Sequence, residues 1–238
     1  MKPHRTSLVA IVILSFVFAA SAAAVQKEAD ARARMAAAYG AGQFGQVEEL
    51  RYTFNVQLPD RTISRAWSWE PKKDRVTFRG TADQGGTVTY DRASLGSASD
   101  QVKKADPQFV NDNYWLIFPL RLYWDESAFV TAYKAPAGLP TGSGEARRIV
   151  VKYPGDEGYT PGDVYELFVD KSNRIVQWIY RKGGDPTPSR INVWGDYRKA
   201  GPLTLSLERK GAEGKFPRVW FTDVAVRLTG KPDWIPAK

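Results

Sequence analysis

The stretch RYTFNVQL, residues 51–58, alternates polar and apolar side chains without a break. Its apolar members all fall on one face of an extended chain: Tyr52, Phe54, Val56 and Leu58. Because successive side chains of a β-strand point to opposite faces, this alternation predicts a strand with one buried and one solvated face. The stretch therefore indicates a fold built on antiparallel β-structure.

Similar short stretches recur along the chain, separated by turns that contain Pro, Gly and Asp. The predicted strands are 51–58, 63–70, 75–79, 87–92, 129–134, 147–153, 163–170, 174–182, 190–198, 203–209 and 218–228. Their regular spacing predicts an antiparallel meander. Residues 174–182 and 218–228 are apolar at both odd and even positions, so we expect these two strands to be covered on both faces.

Two stretches are predicted to be helical. Residues 26–39 are rich in Ala, Glu, Arg and Met, which are good helix formers. Residues 106–118 form the second stretch, with Asp106 as the N-cap and Pro107 at the first helical position. Pro119 is expected to end this second helix.

These patterns together predict a mainly β chain with a single domain. The expected fold is one large curved antiparallel sheet of about ten or eleven strands, an unclosed β-barrel. The N-terminal helix and the helical insert would cover its concave face, and an apolar interior of this kind suits a ligand. We expect the tail, residues 231–238, to be loosely held.

The first 24 residues, MKPHRTSLVAIVILSFVFAASAAA, have the three-part layout of a secretory signal peptide. A basic start precedes an apolar run and small residues, with cleavage expected near Ala22 or Ala24. The alternative is an uncleaved anchor, but the apolar run is shorter than the roughly 20 residues that span a bilayer. No cysteine follows the run, which excludes a lipoprotein anchor. We therefore expect a signal peptide at 1–24, a single domain at 25–238 and a periplasmic location.

The composition removes most catalytic chemistry. The chain contains no cysteine, and its one histidine, His4, lies in the predicted signal peptide. Ser-His-Asp and Cys-His systems need an imidazole base, and zinc or transition-metal sites draw mainly on thiolate and imidazole ligands. We therefore expect no enzyme activity, no catalytic residue, no cofactor and no metal. Without disulfides, a hydrophobic core must stabilise the exported chain.

The charge pattern argues against nucleic acid as a partner. The formal net charge of +8 falls to about +6 once the two basic residues of the predicted signal peptide are removed. The remaining basic residues form pairs within predicted strands and turns, such as Arg147-Arg148, rather than one continuous cluster. A solvated outer face explains them, and Arg147 is expected there.

Aromatic residues supply the candidate ligand contacts, because the chain carries eight tryptophans. Trp67 and Trp69 share a predicted strand face with Arg65, and Trp115 lies in the predicted helical insert. The full set of candidate cavity-lining residues is Arg65, Trp67, Trp69, Tyr114, Trp115 and Trp178. Filling of a core is the alternative role for each aromatic ring.

Two stretches resemble a known group of exported proteins. Residues 111–122, NDNYWLIFPLRL, and residues 158–170, GYTPGDVYELFVD, resemble bacterial outer-membrane lipoprotein-sorting proteins, in the LolA/LolB-like lipoprotein carrier superfamily. The strand at 174–180, with its tryptophan, fits the same group. The resemblance implies an unclosed antiparallel barrel with helices across its concave face, and a role in carrying acyl chains.

Three functions remain open at this point. The first is a soluble periplasmic carrier or binding protein for a lipid-like or acylated ligand, such as a lipid or an acylated protein, with outer-membrane lipoprotein sorting as one process in which it could act. The second is a non-catalytic cell-envelope assembly module with a protein partner. The third is a carboxylate-based polysaccharide hydrolase, which needs two facing carboxylates. Asp163 and Glu166 fall on opposite faces of a predicted strand, which disfavours the third. After signal cleavage we expect no integral membrane segment.

Overall fold

The computed structural model describes residues 31–155, 161–212 and 217–238. The predicted signal peptide and the first residues of the predicted N-terminal helix lie outside these ranges. The strands are β1 Val47–Gln57, β2 Thr62–Glu70, β3 Arg75–Arg79, β4 Thr87–Asp91, β5 Phe129–Gly138, β6 Glu145–Lys152, β7 Val164–Val169, β8 Ile175–Arg181, β9 Arg190–Ala200, β10 Leu203–Gly211, β11 Val219–Leu228 and β12 Trp234–Pro236. Residues 31–38 are helical (α1), and α2 spans Asp100–Trp124.

The strands form one antiparallel sheet of twelve strands. Their order is β4-β3-β2-β1-β11-β10-β9-β8-β7-β6-β5, with β12 added beside β11. Strands β4 and β5 are the two ends of this order, and they do not pair with each other in the described parts of the chain. The predicted fold class, mainly β with a single unclosed sheet and few helices, is confirmed.

The alternation in β1 forms the core as predicted. Tyr52 and Phe54 are buried, and Tyr52 lies opposite Trp67 of β2 in the sheet register. Phe109 of α2 packs its ring 5.6 Å from Trp67. Each aromatic or aliphatic side chain buried in this way contributes about 1.5–3 kcal/mol. The helix and the sheet are therefore held together by the apolar face that the sequence pattern identifies.

Strand β11 does not need covering on both faces, contrary to the prediction. Its pairing shifts between Thr222 and Ala225, so an extra residue bulges out of the ladder. Asp223 lies in this bulge with a φ of 54°. A bulge reverses the parity of the residues that follow it, which brings odd- and even-numbered apolar residues to one face. The core residues of β11 are accordingly Val219, Phe221, Val224 and Val226.

Strand β8 also contains a β-bulge. Val169 lies opposite Ile175 whereas Phe168 lies opposite Gln177, which leaves Val176 as the extra residue. Ile175 and Trp178 are consequently both buried in the core, although their spacing is odd. The apolar runs at 174–182 and 218–228 thus record bulges rather than strands covered on both faces.

The second helix is longer than predicted. It begins after Ser99, whose hydroxyl accepts a hydrogen bond from the Val102 amide at 3.4 Å. Asp106 is not a cap: it is buried inside the helix and accepts a hydrogen bond from Arg92 Nε at 2.8 Å. Both Pro107 and Pro119 lie within the helix. The prediction failed because Ser99 provides an earlier cap, and because the Trp115 carbonyl that Pro119 leaves without an amide donor accepts a hydrogen bond from Arg209 instead.

The C-terminal tail is paired rather than loosely held. Strand β12 runs beside Ala225–Arg227 of β11, and Lys199 and Lys238 exchange backbone hydrogen bonds of 2.9 and 3.0 Å. In the part of the chain that the structure describes, β10 pairs with β11 only at Trp220 and Val219. The tail therefore supplies the hydrogen-bonding partner that the second half of β11 lacks.

Arg147 also departs from its expected position. It shares the parity of the buried residues Ile149 and Val151, so it lies on the concave side of β6 rather than the outer face. Its guanidinium donates to Asn173 Oδ1 at 2.8 Å.

Among the described residues, neither helix has the length and apolar character that crossing a membrane requires.

Candidate functional site

A cavity of about 860 Å³ lies between α2 and the β6–β9 half of the sheet. Helix α2 contributes Val110, Tyr114 and Trp115, and the sheet side contributes Tyr153, Tyr165, Tyr180 and Arg190. This volume falls in the range of about 300–1,000 Å³ that is usual for small-molecule sites. Exposed residues such as Lys182 and Ser127 belong to the lining, so the cavity opens to solvent.

On its other side, α2 packs against β2 through a buried carboxylate. Asp112 is fully buried and accepts hydrogen bonds from Arg65 Nε at 2.7 Å and Arg65 Nη2 at 2.5 Å. The indole of Trp67 donates to the same carboxylate at 2.9 Å. Burial raises the pKa of Asp112, and the ion pair with Arg65 opposes this shift. This cluster fixes α2 against β2.

A break in α2 gives the cavity wall its shape. Ile117 has non-helical backbone angles of −115° and 28°, about two turns before the helix ends at Trp124. Pro119 has no amide hydrogen, so it cannot donate to the Trp115 carbonyl as a helix residue normally does. Arg209 NH2 donates to that carbonyl instead, at 2.8 Å. The Arg209 side chain, which belongs to β10, thereby holds the helix at the point where Trp115 faces the cavity.

Arg209 is itself an unusual group. It is fully buried, and its guanidinium lies 3.4 Å from the centre of the Trp194 ring. Its hydrogen bonds go to neutral oxygens, including Ser206 O at 3.0 Å and Ser206 Oγ at 2.6 Å. Burial lowers the pKa of Arg209 to about 10, so the side chain stays charged at neutral pH.

Tyrosines form the sheet-side wall of the cavity. The rings of Tyr165 and Tyr180 stack with centroids 4.9 Å apart, and Tyr114 lies 5.9 Å from Tyr165. The hydroxyls of Tyr114 and Tyr153 share a hydrogen bond. Burial raises the pKa of Tyr114 and Tyr165 well above the usual value and that of Tyr153 to about 12. These phenols are therefore neutral near pH 7 and offer flat apolar faces with a few hydrogen-bonding groups.

The charged side chains of the lining are mostly basic. The lining contains the four basic residues Arg92, Arg121, Lys182 and Arg190, and one carboxylate, Asp125. The Asp125 carboxylate accepts hydrogen bonds from the amide and hydroxyl of Ser127, at 3.0 and 2.6 Å. A cavity with this balance favours a ligand that carries negative charge.

Two of the six predicted contact residues line the cavity, namely Tyr114 and Trp115. Trp178 is fully buried behind them, with its ring 4.9 Å from that of Trp115. Arg65 and Trp67 belong to the Asp112 cluster on the other side of α2. Trp69 is nearly buried beneath the Arg121 guanidinium, 4.8 Å from its ring centre. Ligand contact by these six residues stays a prediction.

Sequence reasoning missed the tyrosine wall and the basic residues at its edge. Tyr165 and Tyr180 lie directly opposite each other in the β7–β8 register, and Tyr180 lies opposite Arg190 in the β8–β9 register. The tight turn at 170–174 sets Val169 opposite Ile175 and by itself would place Ile179 opposite Tyr165; the bulge at Val176 shifts the register by one residue and brings Tyr180 there instead. No sequence feature indicates this shift or the space that α2 leaves above these residues.

The carboxylates that the sequence raised as candidates for hydrolysis have structural partners. The described residues contain no group of three or more His, Cys, Asp or Glu side chains suited to a metal ion. Asp163 is buried and accepts hydrogen bonds from Tyr180 OH at 2.9 Å and the Gly183 amide at 2.7 Å. Glu166 instead forms an ion pair with Arg181 at 3.0 Å. Each of the two carboxylates thus has its own structural partners.

Comparisons with known proteins identify the fold. No protein-family model and no curated protein matches the sequence. A LolA superfamily protein from Nitrosomonas europaea matches with a TM-score of 0.52 and 10% identity, over 81% of this chain and 92% of that one. A DUF1329 family protein from Desulfovibrio piger has a TM-score of 0.49 and 8% identity, over 87% and 94% of the two chains.

A putative outer membrane lipoprotein-sorting protein domain from Vibrio parahaemolyticus has a TM-score of 0.47 and 9% identity, over 86% of this chain and 93% of that one. Of these three matches, the one to the LolA superfamily protein has a TM-score above 0.5, and at 10% identity it establishes a common fold and nothing further. The open sheet expected from the resemblance at residues 111–122 and 158–170 is present in the structure itself. The chain shares the fold of the LolA superfamily protein from Nitrosomonas europaea.

Proposed function

We propose that this protein is a non-catalytic periplasmic carrier or binding protein for a lipid-like or acylated ligand. The observation that carries the proposal is the aromatic-lined cavity of about 860 Å³ between α2 and the sheet. The similarity to a LolA superfamily protein supports it at the level of the fold. The signal-peptide pattern at residues 1–24 supports export of the remaining single domain, residues 25–238. Outer-membrane lipoprotein sorting is one process in which such a carrier could act.

Burial of an acyl chain in this cavity would supply a large part of the binding free energy. Each buried methylene contributes about 0.8 kcal/mol. A chain of roughly a dozen methylenes therefore gains about 10 kcal/mol, against about 4–15 kcal/mol lost on association, so contacts with the rest of the ligand must contribute too. The rings of Trp115, Tyr114 and Tyr165 provide the apolar surface. The hydroxyls of the two tyrosines are neutral near pH 7, so they place no negative charge beside an acyl chain.

Displacement of a fluorescent fatty acid tests the proposal. Val110 lines the cavity and is half-buried at the edge of the core, so Val110→Trp should fill the space while keeping apolar contact with the core. Gln108→Trp is the matched control, because Gln108 is exposed on the same helix and is not part of the lining. We expect Val110→Trp to weaken fatty-acid binding at least about tenfold with an unchanged melting temperature, and Gln108→Trp to bind as wild type. Equal binding by both variants would contradict the proposal.

An envelope assembly module is the second candidate function, and one observation favours it. Strand β5 ends the sheet, and its side chains Phe129 and Tyr133 are 68% and 42% exposed. Exposed aromatic residues on an end strand, which has a strand neighbour on one side only, suit a protein partner that adds a strand to the other side. This candidate predicts that no amphiphile binds and that association with the partner depends on Phe129.

A further inference from the structure

The rim of the cavity carries two basic side chains whose charge has no carboxylate partner. Arg190 lies opposite Tyr180 in the β8–β9 register, and Lys182 follows the end of β8. Both belong to the cavity lining. Within the ranges that the structure describes, neither forms an ion pair, and the recorded side-chain hydrogen bond of Arg190 goes to the Ser189 carbonyl at 2.7 Å.

The guanidinium groups of neighbouring arginines are engaged within the protein. Arg181, next to Lys182 in sequence, pairs with Glu166 at 3.0 Å. Within the lining, Arg92 pairs with Asp106 at 2.8 Å. Arg121 has no carboxylate partner among the recorded ion pairs of the described residues, but its guanidinium donates to the Asn113 side-chain oxygen at 2.9 and 2.6 Å and lies over the Trp69 ring. Lys182 and Arg190 are therefore the basic side chains of the lining that are best placed to donate to a ligand.

The nearby carboxylates form no recorded ion pair with this rim in the described residues. Asp163 is buried, and its oxygens accept hydrogen bonds from the Tyr180 hydroxyl and the Gly183 amide. Asp125 lines the cavity too, and its carboxylate accepts hydrogen bonds from Ser127. Burial and the hydrogen bond to Asp163 raise the pKa of Tyr180, so this phenol adds no negative charge near pH 7. The four basic residues of the lining outnumber its one carboxylate, so we expect a positive potential in the cavity.

We propose that Lys182 and Arg190 form a head-group site for an anionic amphiphile, one that carries a phosphate or a carboxylate. The inference rests on the proposed function, because the apolar part of the same ligand would occupy the cavity beside Trp115. The planar guanidinium of Arg190 can donate two hydrogen bonds to either anion, and the Lys182 ammonium adds a point charge. A neutral amphiphile with the same chain lacks this interaction.

Three probes with one acyl chain length separate the possibilities: palmitoyl lysophosphatidic acid, palmitate and monopalmitoyl glycerol. Their affinities are measured with wild type, with Lys182→Gln/Arg190→Gln, and with the control Lys134→Gln/Lys171→Gln. The two control lysines are exposed and lie outside the lining. We expect wild type to bind the acidic probes about tenfold or more tightly than the glycerol ester.

The double rim variant should lose that preference while its affinity for the glycerol ester stays unchanged, and the control should behave as wild type. A preference for one acidic probe identifies the head group as phosphate or carboxylate. Equal binding of all three probes to wild type would overturn the head-group site and leave the proposed function standing. An equal loss of all three probes in the rim variant would also overturn it. Absence of binding by every probe would instead contradict the proposed function.

Discussion

Arg209 connects the sheet to the broken end of α2 through a single carbonyl group. Its NH2 donates to the Trp115 carbonyl, which Pro119 cannot reach as a donor. An arginine buried without a carboxylate is costly, and it remains because several oxygens accept its hydrogen bonds. The position of Trp115 in the cavity wall therefore depends on a residue 94 positions later in the chain.

We predict that Arg209→Met destabilises the protein by about 3 kcal/mol, because buried oxygens lose their donor. Pro119→Ala restores an amide hydrogen that can reach the Trp115 carbonyl. In the Pro119→Ala background, Arg209→Met should therefore cost about 1–2 kcal/mol less. Urea unfolding of the two single variants and the double variant measures this coupling, and additive effects would contradict the assigned hydrogen bond.

The ion pair of Asp112 and Arg65 predicts a pH dependence. Arg65→Ala leaves Asp112 buried without its cation, so its pKa rises further above the value of about 3.9 in the unfolded chain. A carboxyl group with a raised pKa in the folded state costs little when it is protonated and more as pH rises. The loss of stability should therefore be about 3 kcal/mol at neutral pH and clearly smaller near pH 4.

Urea unfolding of wild type and Arg65→Ala at both pH values measures this difference. Gln108→Ala, at an exposed position on the same helix, is the control and should show no such trend. A deficit that is the same at both pH values would mean that Asp112 does not respond to the loss of Arg65.

Residue-level partners were the least predictable part of the molecule. The sequence pattern identified Trp67, Trp69 and Trp115 as cavity-lining candidates; of these three, Trp115 lies in the cavity lining, whereas Trp67 and Trp69 are buried in the core. It could not show that Asp106 and Asp112 would be buried, because their arginine partners come from other elements. Long-range pairs of this kind leave no local pattern.

At the scale of elements, the strands were predictable and the bulges were not. Strand β1 and its neighbours follow from the alternation that begins at Arg51. The sequences of β8 and β11 are apolar at both odd and even positions. A bulge in each strand explains this pattern better than a strand that is covered on both faces. A single-residue shift in pairing depends on the partner strand, so the sequence of one strand cannot reveal it.

Strand β12 provides a test at this scale. A chain that ends at Gly230 should lose about 2 kcal/mol of stability, because β11 loses its partner and Trp234 loses its contact with Arg51, whose guanidinium lies 4.3 Å from the ring. Hydrogen exchange should increase in a peptide that covers residues 224–228. Exchange unchanged by the truncation would show that the tail does not protect β11. Deletion of Lys238 alone is the milder control.

At the scale of the whole molecule, the sequence predicts export. The basic start, apolar run and small residues at positions 1–24 should direct cleavage near Ala22 or Ala24. The intact mass of protein from the envelope fraction measures the cleavage position. A chain that retains residues 1–24 and stays in the membrane would contradict the proposed periplasmic location.

The fold was predictable at this scale and the cavity was not. Strand spacing indicated one open antiparallel sheet, and the resemblance at residues 111–122 indicated a helix across it. The free space depends on how far α2 stands from β7 and β8, which is set by Arg209, Asp112 and the break before Pro119. Those contacts join elements far apart in sequence.

Native mass spectrometry of the protein purified from the cells that produce it tests the central claim most directly. The account predicts that wild type and Gln108→Trp carry an added mass that organic solvent extracts as an amphiphile, and that Val110→Trp does not carry it. Wild-type protein with no added mass, or the same mass bound to Val110→Trp, would contradict the claim that this cavity holds the ligand.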